Sequence, residues 1–212
     1  MRYLSIAFGI ALLCYSTSSW ALGKLGHRLV CQLAYKQLTS SEQQKIDKLL
    51  RAMPSLDLKR VKEYNHRNKN SKLTFAESCT WADVVKRDNK YKKFKPWHFI
   101  NVAREQTQIT APICEENCIT FAISYHANQL VKAQSDTDKL EALMFLGHWL
   151  GDIHQPLHVS FRSDLGGNKI RVTPFKGTCK NLHWYWDQCL LIPTHLASPQ
   201  TNKAFMVLET LL

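Results

Sequence analysis

Residues 146–158 read Leu-Gly-His-Trp-Leu-Gly-Asp-Ile-His-Gln-Pro-Leu-His, and this stretch indicates both the fold class and the chemistry of the chain. Apolar residues recur at helical spacing, which predicts a long helix from Thr137 to about Leu157. His148 and Asp152 are four residues apart, so both side chains lie on one face of that helix and could bind the same metal ion. A core histidine that simply pairs with a carboxylate is the alternative interpretation.

The end of the same stretch adds a third candidate ligand. Pro156 should end or bend the helix, because proline lacks the backbone N–H that a helix requires. His158 would then face a different side of the site. His154 lies four residues before His158, so the spacing alone leaves open which of these two histidines is the ligand.

A second pair repeats the first. His183 and Asp187, in Asn-Leu-His-Trp-Tyr-Trp-Asp, have the same spacing and lie in a stretch from Leu182 to Leu191 that we predict to be helical. Large apolar residues surround both pairs, and a buried charge in such surroundings needs a partner or a metal ion. Two such pairs together favour a metal centre over two ordinary core histidines.

Three isolated residues are further candidate ligands. Asp83 follows Trp-Ala, His98 lies in Pro-Trp-His-Phe, and His27 lies at the start of the first predicted helix. The histidines without a comparable context are interpreted as surface or structural residues: His66, His126 and His195.

Most of the remaining chain has a helical pattern. Further helices are predicted over about 26–38, 40–53 and 118–132, whereas only residues 169–174, after a Gly-Gly turn, resemble a strand. The length of 212 residues suits one domain with a single core. We therefore expect a mainly α, single-domain multi-helix fold with a short β-hairpin.

The N-terminus has the pattern of a secretory signal. A positive start precedes an apolar run that ends at Cys14, and Ser19-Trp20-Ala21 fits the small-x-small cleavage rule. We predict a signal peptide over residues 1–21, Leu22 as the first mature residue, and a mature domain over 22–212. A cut before Trp20 fits less well. The protein would be secreted or periplasmic, and no later stretch is long and apolar enough to span a membrane.

Six cysteines remain after that cut, and an even number in an exported chain predicts disulfides. A zinc site made of cysteines is the alternative, but no two of them have Cys-x-x-Cys spacing. Two pairs are close enough in sequence to close small loops, although connectivity stays open at this point. The six residues are Cys31, Cys79, Cys114, Cys118, Cys179 and Cys189.

The chain is basic, with a formal net charge of +11. Its densest cluster of lysine and arginine covers residues 86–95, directly before Trp97-His98. A basic protein tends to bind polyanions, either nucleic acid or an anionic membrane surface. A solvated face without a partner is the alternative interpretation.

These motifs together resemble the zinc-dependent single-strand nucleases of fungi and the bifunctional plant nucleases. That family shares a phospholipase C/nuclease-type fold with bacterial zinc phospholipase C. Gly-Asp-x-x-Gln-Pro-Leu-His is a highly specific match. The matching segments follow the family's order and are Gly26-His27, Trp81-Ala82-Asp83, His98-Phe99-Ile100, Gly147 to His158, Gly166-Gly167-Asn168, Asn181-Leu182-His183 and Trp186-Asp187.

The resemblance implies three Zn²⁺ ions. The first zinc would take Asp83, His98, His148 and one oxygen of Asp152. The second would take His27, the other oxygen of Asp152, and the α-amine and carbonyl of Leu22. The third would take His158, His183 and Asp187, which makes His154 a neighbour. The resemblance also implies a disulfide between Cys31 and Cys79.

The same resemblance suggests catalytic and substrate-binding residues. Asp152 and Lys86 are the catalytic candidates, although the fungal enzymes have an arginine where this chain has Lys86. Phe99 matches a base-stacking residue and Asn168 is carried over as a substrate contact. Asn101 replaces an aspartate that contacts the base, and an amide can donate as well as accept a hydrogen bond.

The implied function is hydrolysis of phosphodiester bonds in single-stranded RNA and DNA to 5′-phosphorylated products, together with 3′-nucleotidase activity, by a monomer. Bound zinc would activate a water for attack on phosphorus. One alternative is a zinc phospholipase C. Another is an inactive, truncated zinc-binding remnant of reduced stability, because family members normally continue beyond the position of Leu212.

Overall fold

Helices make up most of the fold, as predicted. The computed structural model describes residues 23–109, 111–173 and 178–192. The helices in these ranges are α1 (Lys24–Gln37), α2 (Ser40–Leu50), α3 (Ser55–Tyr64), α4 (Phe75–Ser78), α5 (Trp81–Val85), α6 (Ala111–Cys114), α7 (Ile119–Lys132), α8 (Asp136–Ile153) and α9 (Leu182–Trp184). Two 3-10 helices cover Lys92–His98 and Pro156–His158, and a π-helix, Tyr185–Cys189, continues α9. None of the helices found in this part of the chain could cross a membrane.

Short polar motifs fix where the helices begin. At α2 the Thr39 hydroxyl accepts a hydrogen bond from the Glu42 backbone N–H, while the Glu42 side chain accepts one from the Thr39 N–H. Thr74 and Glu77 make the same reciprocal pair at α4. Each capping box satisfies two backbone donors that a helix start would otherwise leave without partners. Ser135 caps α8 in a simpler way.

Helix α8 ends at Ile153, four residues before the predicted end. The reason is Pro156, because the residue before a proline avoids the helical conformation. Gln155 is accordingly extended, with ψ of 114°, and its side chain accepts a hydrogen bond from the Leu157 N–H. The chain then makes one 3-10 turn that carries His158 away from the axis of α8.

The small sheet differs from the predicted hairpin. Strands β1 (Ile100–Val102) and β2 (Val159–Phe161) pair in parallel, with Ile100 opposite Val159. Both strands directly follow 3-10 helices, so the sheet joins segments that are distant in sequence. The stretch predicted to be a strand, residues 169–174, contributes one antiparallel bridge from Arg171 to Asn181, and residues 174–177 lie outside the described part.

The core lies around α8, which packs against α7, α1 and α5. Its centre is aromatic, with Trp81, Phe145 and Trp149 almost fully buried. The Trp149 indole N–H donates to Nδ1 of His126 over 3.0 Å. His126 is therefore a buried structural residue, in line with the sequence interpretation.

Three disulfides brace the fold, as the even cysteine count predicted. Cys31–Cys79 ties α1 to the end of α4, which is the pairing that the family resemblance implied. The other two close the small loops Cys114–Cys118 and Cys179–Cys189. Gly147 of α8 packs directly against the first disulfide.

Replacing Gly147 by alanine should destabilise the protein, although alanine ordinarily stabilises a helix interior by about 1 kcal/mol relative to glycine. A Cβ atom there would lie 2.7 Å from Sγ of Cys79 and 3.0 Å from Sγ of Cys31. We expect urea unfolding to show a loss of about 1–3 kcal/mol. In the Cys31→Ala/Cys79→Ala background the same substitution should cost much less. An equal cost in both backgrounds would show that the disulfide is not the obstacle.

His126 should make stability depend on pH. Burial lowers the pKa of His126 from 6.5 to about 4. The unfolded chain therefore takes up this proton first as the pH falls, so stability is lost between pH 6.5 and 4 and levels off below. We expect wild type to lose up to about 3 kcal/mol more than His126→Gln over that interval, measured by urea unfolding. Contributions from all other groups are common to the two proteins and cancel in the difference, so parallel curves would contradict the assignment.

Candidate metal centre

The two oxygens of Asp152 face histidines that come from different parts of the chain. Oδ2 lies 2.9 Å from Nδ1 of His98 and 3.4 Å from Nε2 of His148. Oδ1 lies 3.2 Å from Nε2 of His27, on α1. Asp152 itself is fully buried. The His148/Asp152 pair of α8 thus lies at the meeting point of α1, α8 and the 3-10 helix that ends at His98.

Asp83 joins this cluster from α5. One ligand atom from each of Asp83, His27 and His148 lies within 4.8 Å of the others, and the same holds for His98, His148 and Asp152. His148 belongs to both groups, so these five residues form one continuous cluster. Nζ of Lys86 lies 3.0 Å from Asp83 Oδ1.

A second cluster contains His158, His183 and Asp187, whose ligand atoms also lie within 4.8 Å of one another. Nε2 of His183 is 3.3 Å from Asp187 Oδ2, and Nε2 of His158 is 3.8 Å from Asp187 Oδ1. The predicted helix over 182–191 is only partly α, because the π-helix begins at Tyr185. Single π turns often occur at functional sites, and this one carries Asp187.

Backbone carbonyls orient three of the histidines. Nδ1 of His148 donates to the Cys79 carbonyl over 2.8 Å, and Nδ1 of His158 donates to the His98 carbonyl over 2.6 Å. Nδ1 of His183 donates to the Gly166 carbonyl over 2.7 Å. These bonds fix the tautomer, so that Nε2 of each ring is left to bind a metal ion.

Gly166 has a structural reason to be glycine. Its φ is +61°, and a Cβ atom would lie 2.5 Å from the Leu157 carbonyl oxygen. A side chain at this position would therefore be strained and would also clash. The Gly-Gly turn thus brings a carbonyl acceptor to His183.

The electrostatics of the clusters suit a cation. Burial alone would raise the pKa of Asp83, but nearby positive charge, above all on Lys86, lowers it to about 2. Burial opposes ionisation of Asp152 as well, and its histidine neighbours still hold the pKa far below the usual range. Burial and the proximity of His27 lower the pKa of His148 to about 3. Ionised carboxylates beside a neutral imidazole are the forms that bind metal.

His158 has the opposite shift. Burial lowers its pKa, but Asp152 and Asp187 outweigh burial and raise it to about 9. The two carboxylates thus attract positive charge to this ring, and a bound metal ion would take the place of the proton.

The donor atoms fit metal ions. All eight residues are at most 8% exposed. Five of their atoms are buried without a hydrogen-bond partner among the described residues: His27 Nδ1, His27 Nε2, Asp152 Oδ1, His158 Nε2 and Asp187 Oδ2. Buried polar atoms normally have a partner, and an ion would supply it. Imidazole nitrogen with carboxylate oxygen is a donor set typical of zinc.

The remaining candidates from the sequence lie around these clusters. Phe99 and Asn101 are half-buried at β1, and Asn101 Oδ1 is buried without a partner in the described part of the chain. Asn168 donates to the Leu165 carbonyl in the turn after β2. His154 is exposed, and its Nδ1 donates to the Leu150 carbonyl. Leu22 lies outside the described residues.

Two residues of the centre were missed as site residues by the sequence analysis. Gln155 donates from Nε2 to Asp187 Oδ1 over 2.6 Å, so it links the end of α8 to the second cluster. Tyr64 of α3 bonds to Asp83, and burial with that carboxylate raises the pKa of the phenol. The signal for Gln155 was its place before Pro156 in the quoted stretch. Nothing in the sequence around Tyr64 pointed to Asp83.

The fold and site define a helical, disulfide-braced protein whose buried histidine–aspartate clusters could hold metal ions. A model of the S1/P1 nuclease family matches residues 22–208. Endonuclease 4 of Arabidopsis thaliana is 30% identical over 204 residues, 89% of this chain and 61% of that protein. Endonuclease 2 of the same plant is 32% identical over 181 residues, 80% of this chain and 56% of that protein. Nuclease S1 of Aspergillus oryzae is 30% identical over 191 residues, which are 88% of this chain and 59% of that protein.

The chain therefore belongs to the S1/P1 nuclease family, which confirms the resemblance found in the motifs. It spans less than two thirds of the length of these three relatives.

Replacing Gln155 by leucine should weaken one metal site selectively. Asp187 would lose the bond that orients it, and loss of such a partner typically costs 10–100-fold in metal affinity. We expect about that loss for one of the bound zinc ions, measured by competition with a chromophoric chelator. His154→Ala is the matched control and should bind zinc like wild type. Unchanged affinities in Gln155→Leu would show that Asp187 needs no such support.

Proposed function

We propose that this protein is a zinc-dependent endonuclease, which hydrolyses single-stranded RNA and DNA to 5′-phosphorylated products and also acts as a 3′-nucleotidase. The observation that carries the proposal is the pair of buried histidine–aspartate clusters in a chain of the S1/P1 nuclease family. The named relatives are nucleases. The proposed activity comes from that family relationship and from the chemistry of the clusters.

Three zinc ions would be held as the family resemblance implies. The first cluster would hold two ions, which share Asp152 through its separate oxygens. The second cluster would hold the third. The proposed side-chain ligands are His27, Asp83, His98, His148, Asp152, His158, His183 and Asp187, and the α-amine and carbonyl of Leu22 complete the set.

The proposed role of Leu22 requires the chain to start near the metal centre, and α1, where the described chain begins, carries His27 of the first cluster. The Gly23 N–H donates to the Asp187 carbonyl over 2.7 Å, so the chain enters α1 beside the second cluster. A Cβ atom on Gly23 would lie only 2.3 Å from that carbonyl oxygen, which makes glycine necessary for this approach. A free α-amine requires removal of residues 1–21, so export and completion of the site would be coupled.

Residues of the chain would bind and orient the substrate. Bound zinc lowers the pKa of water to about 7 and polarises phosphate oxygens. Lys86 supplies positive charge for a phosphate, without the two-pronged geometry of an arginine. Phe99 would stack on a base, an interaction worth about 1–3 kcal/mol. A base in a duplex cannot reach such a ring, so the preference for single strands follows.

Asn101 and Asn168 would contact the nucleotide near this ring. The amide of Asn101 offers both a donor and an acceptor, so it would bind base edges differently from an aspartate. Three disulfides are typical of proteins in an oxidising compartment, which supports a secreted or periplasmic location. We propose a monomer.

A zinc phospholipase C is the second candidate. The observation in its favour is a pair of exposed apolar side chains beside the Gly166 turn, Leu165 at 49% and Ile170 at 40% exposure. The basic cluster over 86–95 and the ring of Phe99 favour nucleic acid instead.

In the direct test, the zinc-loaded mature protein is incubated with each of four substrates, with and without a chelator. The substrates are single-stranded RNA, single-stranded DNA, duplex DNA and phosphatidylcholine. We expect chelator-sensitive cleavage of both single strands. Asp152→Asn should reduce kcat by about 10³-fold or more, because two zinc ions would lose a shared ligand worth several kcal/mol of transition-state stabilisation. His154→Ala should retain wild-type activity.

Four results would contradict the proposal. Cleavage that survives the chelator would exclude the metal mechanism, and so would fewer than two zinc ions per chain. Hydrolysis of phosphatidylcholine alone would identify the phospholipase. Zinc binding without any hydrolysis would identify a metal-binding remnant.

A further inference from the structure

Residues 86–95, which we call the basic segment, connect two candidate ligands of the metal centre. The segment begins three residues after Asp83 and ends three residues before His98, and both of these residues belong to the first cluster. It leaves the centre at the end of α5 and returns to it through the 3-10 helix Lys92–His98. Both ends of the segment are therefore close to the centre along the chain, and its middle contacts Glu141 near the start of α8.

The basic segment carries six positive side chains and one negative one. The single acid, Asp88, is paired with Arg60 over 2.6 Å. Lys86 and Lys90 contact Asp83 and Glu141, respectively. The full set of cations is Lys86, Arg87, Lys90, Lys92, Lys93 and Lys95.

The last three lysines are available to a polyanion. Lys92, Lys93 and Lys95 are exposed, and none of them makes an ion pair with a residue in the described ranges. The Lys93 ammonium group lies 4.9 Å from the centre of the Phe94 ring. They lie on the 3-10 helix that leads directly to His98.

Cavities lie at both ends of the basic segment. A cavity of about 470 Å³ adjoins Asp83 and is lined by Lys86, Arg87 and Arg60. A second cavity of about 300 Å³ is lined by Lys90, Lys93, Lys132 and the aromatic side chains Tyr91, Phe94 and Tyr125, together with the acids Asp138 and Glu141. Lysine side chains suit a phosphate, and aromatic rings suit a base.

We propose that the basic segment binds the sugar–phosphate backbone of single-stranded nucleic acid several nucleotides away from the scissile bond. This inference rests on the proposed nuclease function and adds an extended strand site to it. From Lys92 to His98 the 3-10 helix rises about 12 Å, at about 2 Å per residue. That length matches about three or four phosphates of a stacked strand, at about 3.4 Å each. Substrates longer than about five nucleotides should therefore benefit, and a dinucleotide should not.

The test compares two variants with equal loss of charge. The basic-segment variant is Lys92→Gln/Lys93→Gln/Lys95→Gln, in which glutamine keeps much of the apolar stem. The matched control is Lys45→Gln/Lys48→Gln/Lys69→Gln, three exposed lysines on α2 and in the loop after α3. For both variants and wild type, kcat/KM is measured on a dinucleotide and on a 12-nucleotide single strand at several salt concentrations.

The ratio of kcat/KM for the 12-mer to that for the dinucleotide should fall roughly tenfold or more at low salt in the basic-segment variant alone. For the 12-mer, the slope of log kcat/KM against log salt concentration should become shallower by roughly two, because each lost phosphate contact on a single strand removes about 0.7. An unchanged ratio and slope, or an equal change in the control, would overturn the proposal while leaving the nuclease assignment intact.

A binding measurement separates the two proposals. Fluorescence anisotropy with a labelled 12-mer is repeated in the Asp152→Asn background, with and without the three basic-segment substitutions. Weaker binding only with those substitutions supports the strand site even if no protein cleaves nucleic acid. Equal binding in all proteins would refute the strand site.

Discussion

The fully buried carboxylate of Asp152 is the constraint on which the rest of the structure depends. Moving an ionised carboxylate from water to the interior costs several kcal/mol unless other groups compensate. Here the compensating groups are imidazoles that reach Asp152 from α1, from α8 and from the 3-10 helix ending at His98. These rings cannot all carry protons, because burial and mutual repulsion hold His148 neutral. A bound metal ion would satisfy the carboxylate without that repulsion, so metal binding and folding should be coupled.

The covalent frame brings these ligands together before any ion is bound. Cys31 lies one helical turn after His27, and Cys79 lies four residues before Asp83, so their disulfide ties two ligand-bearing segments to each other. Gly147 lets α8 approach that disulfide closely. The approach allows the rings of His27 and His148 to stack at 3.7 Å between centroids. The disulfide and this packing therefore reduce the conformational entropy that the ligand side chains would lose on binding a metal ion.

The sequence predicted features that depend on local spacing and missed those that depend on distant contacts. The four-residue spacing of His148 and Asp152 and the break at Pro156 follow from helix geometry, and both are present. The parallel strands β1 and β2 lie far apart in sequence, so no hairpin pattern could reveal them. The π turn that carries Asp187 and the bond from Gln155 to Asp187 form only in the assembled fold.

His98 contacts residues of both clusters and lies between the basic 3-10 helix and Phe99. Its ring faces Asp152 at 2.9 Å, while its carbonyl accepts the bond that orients His158. Displacing residue 98 would therefore disturb ligands in both clusters at once. The residues on either side of it are the basic 3-10 helix and Phe99 at β1, so the same short segment would carry metal-binding, phosphate-binding and base-stacking groups. A strand bound along this segment would have one end near His98, because the 3-10 helix ends at that residue.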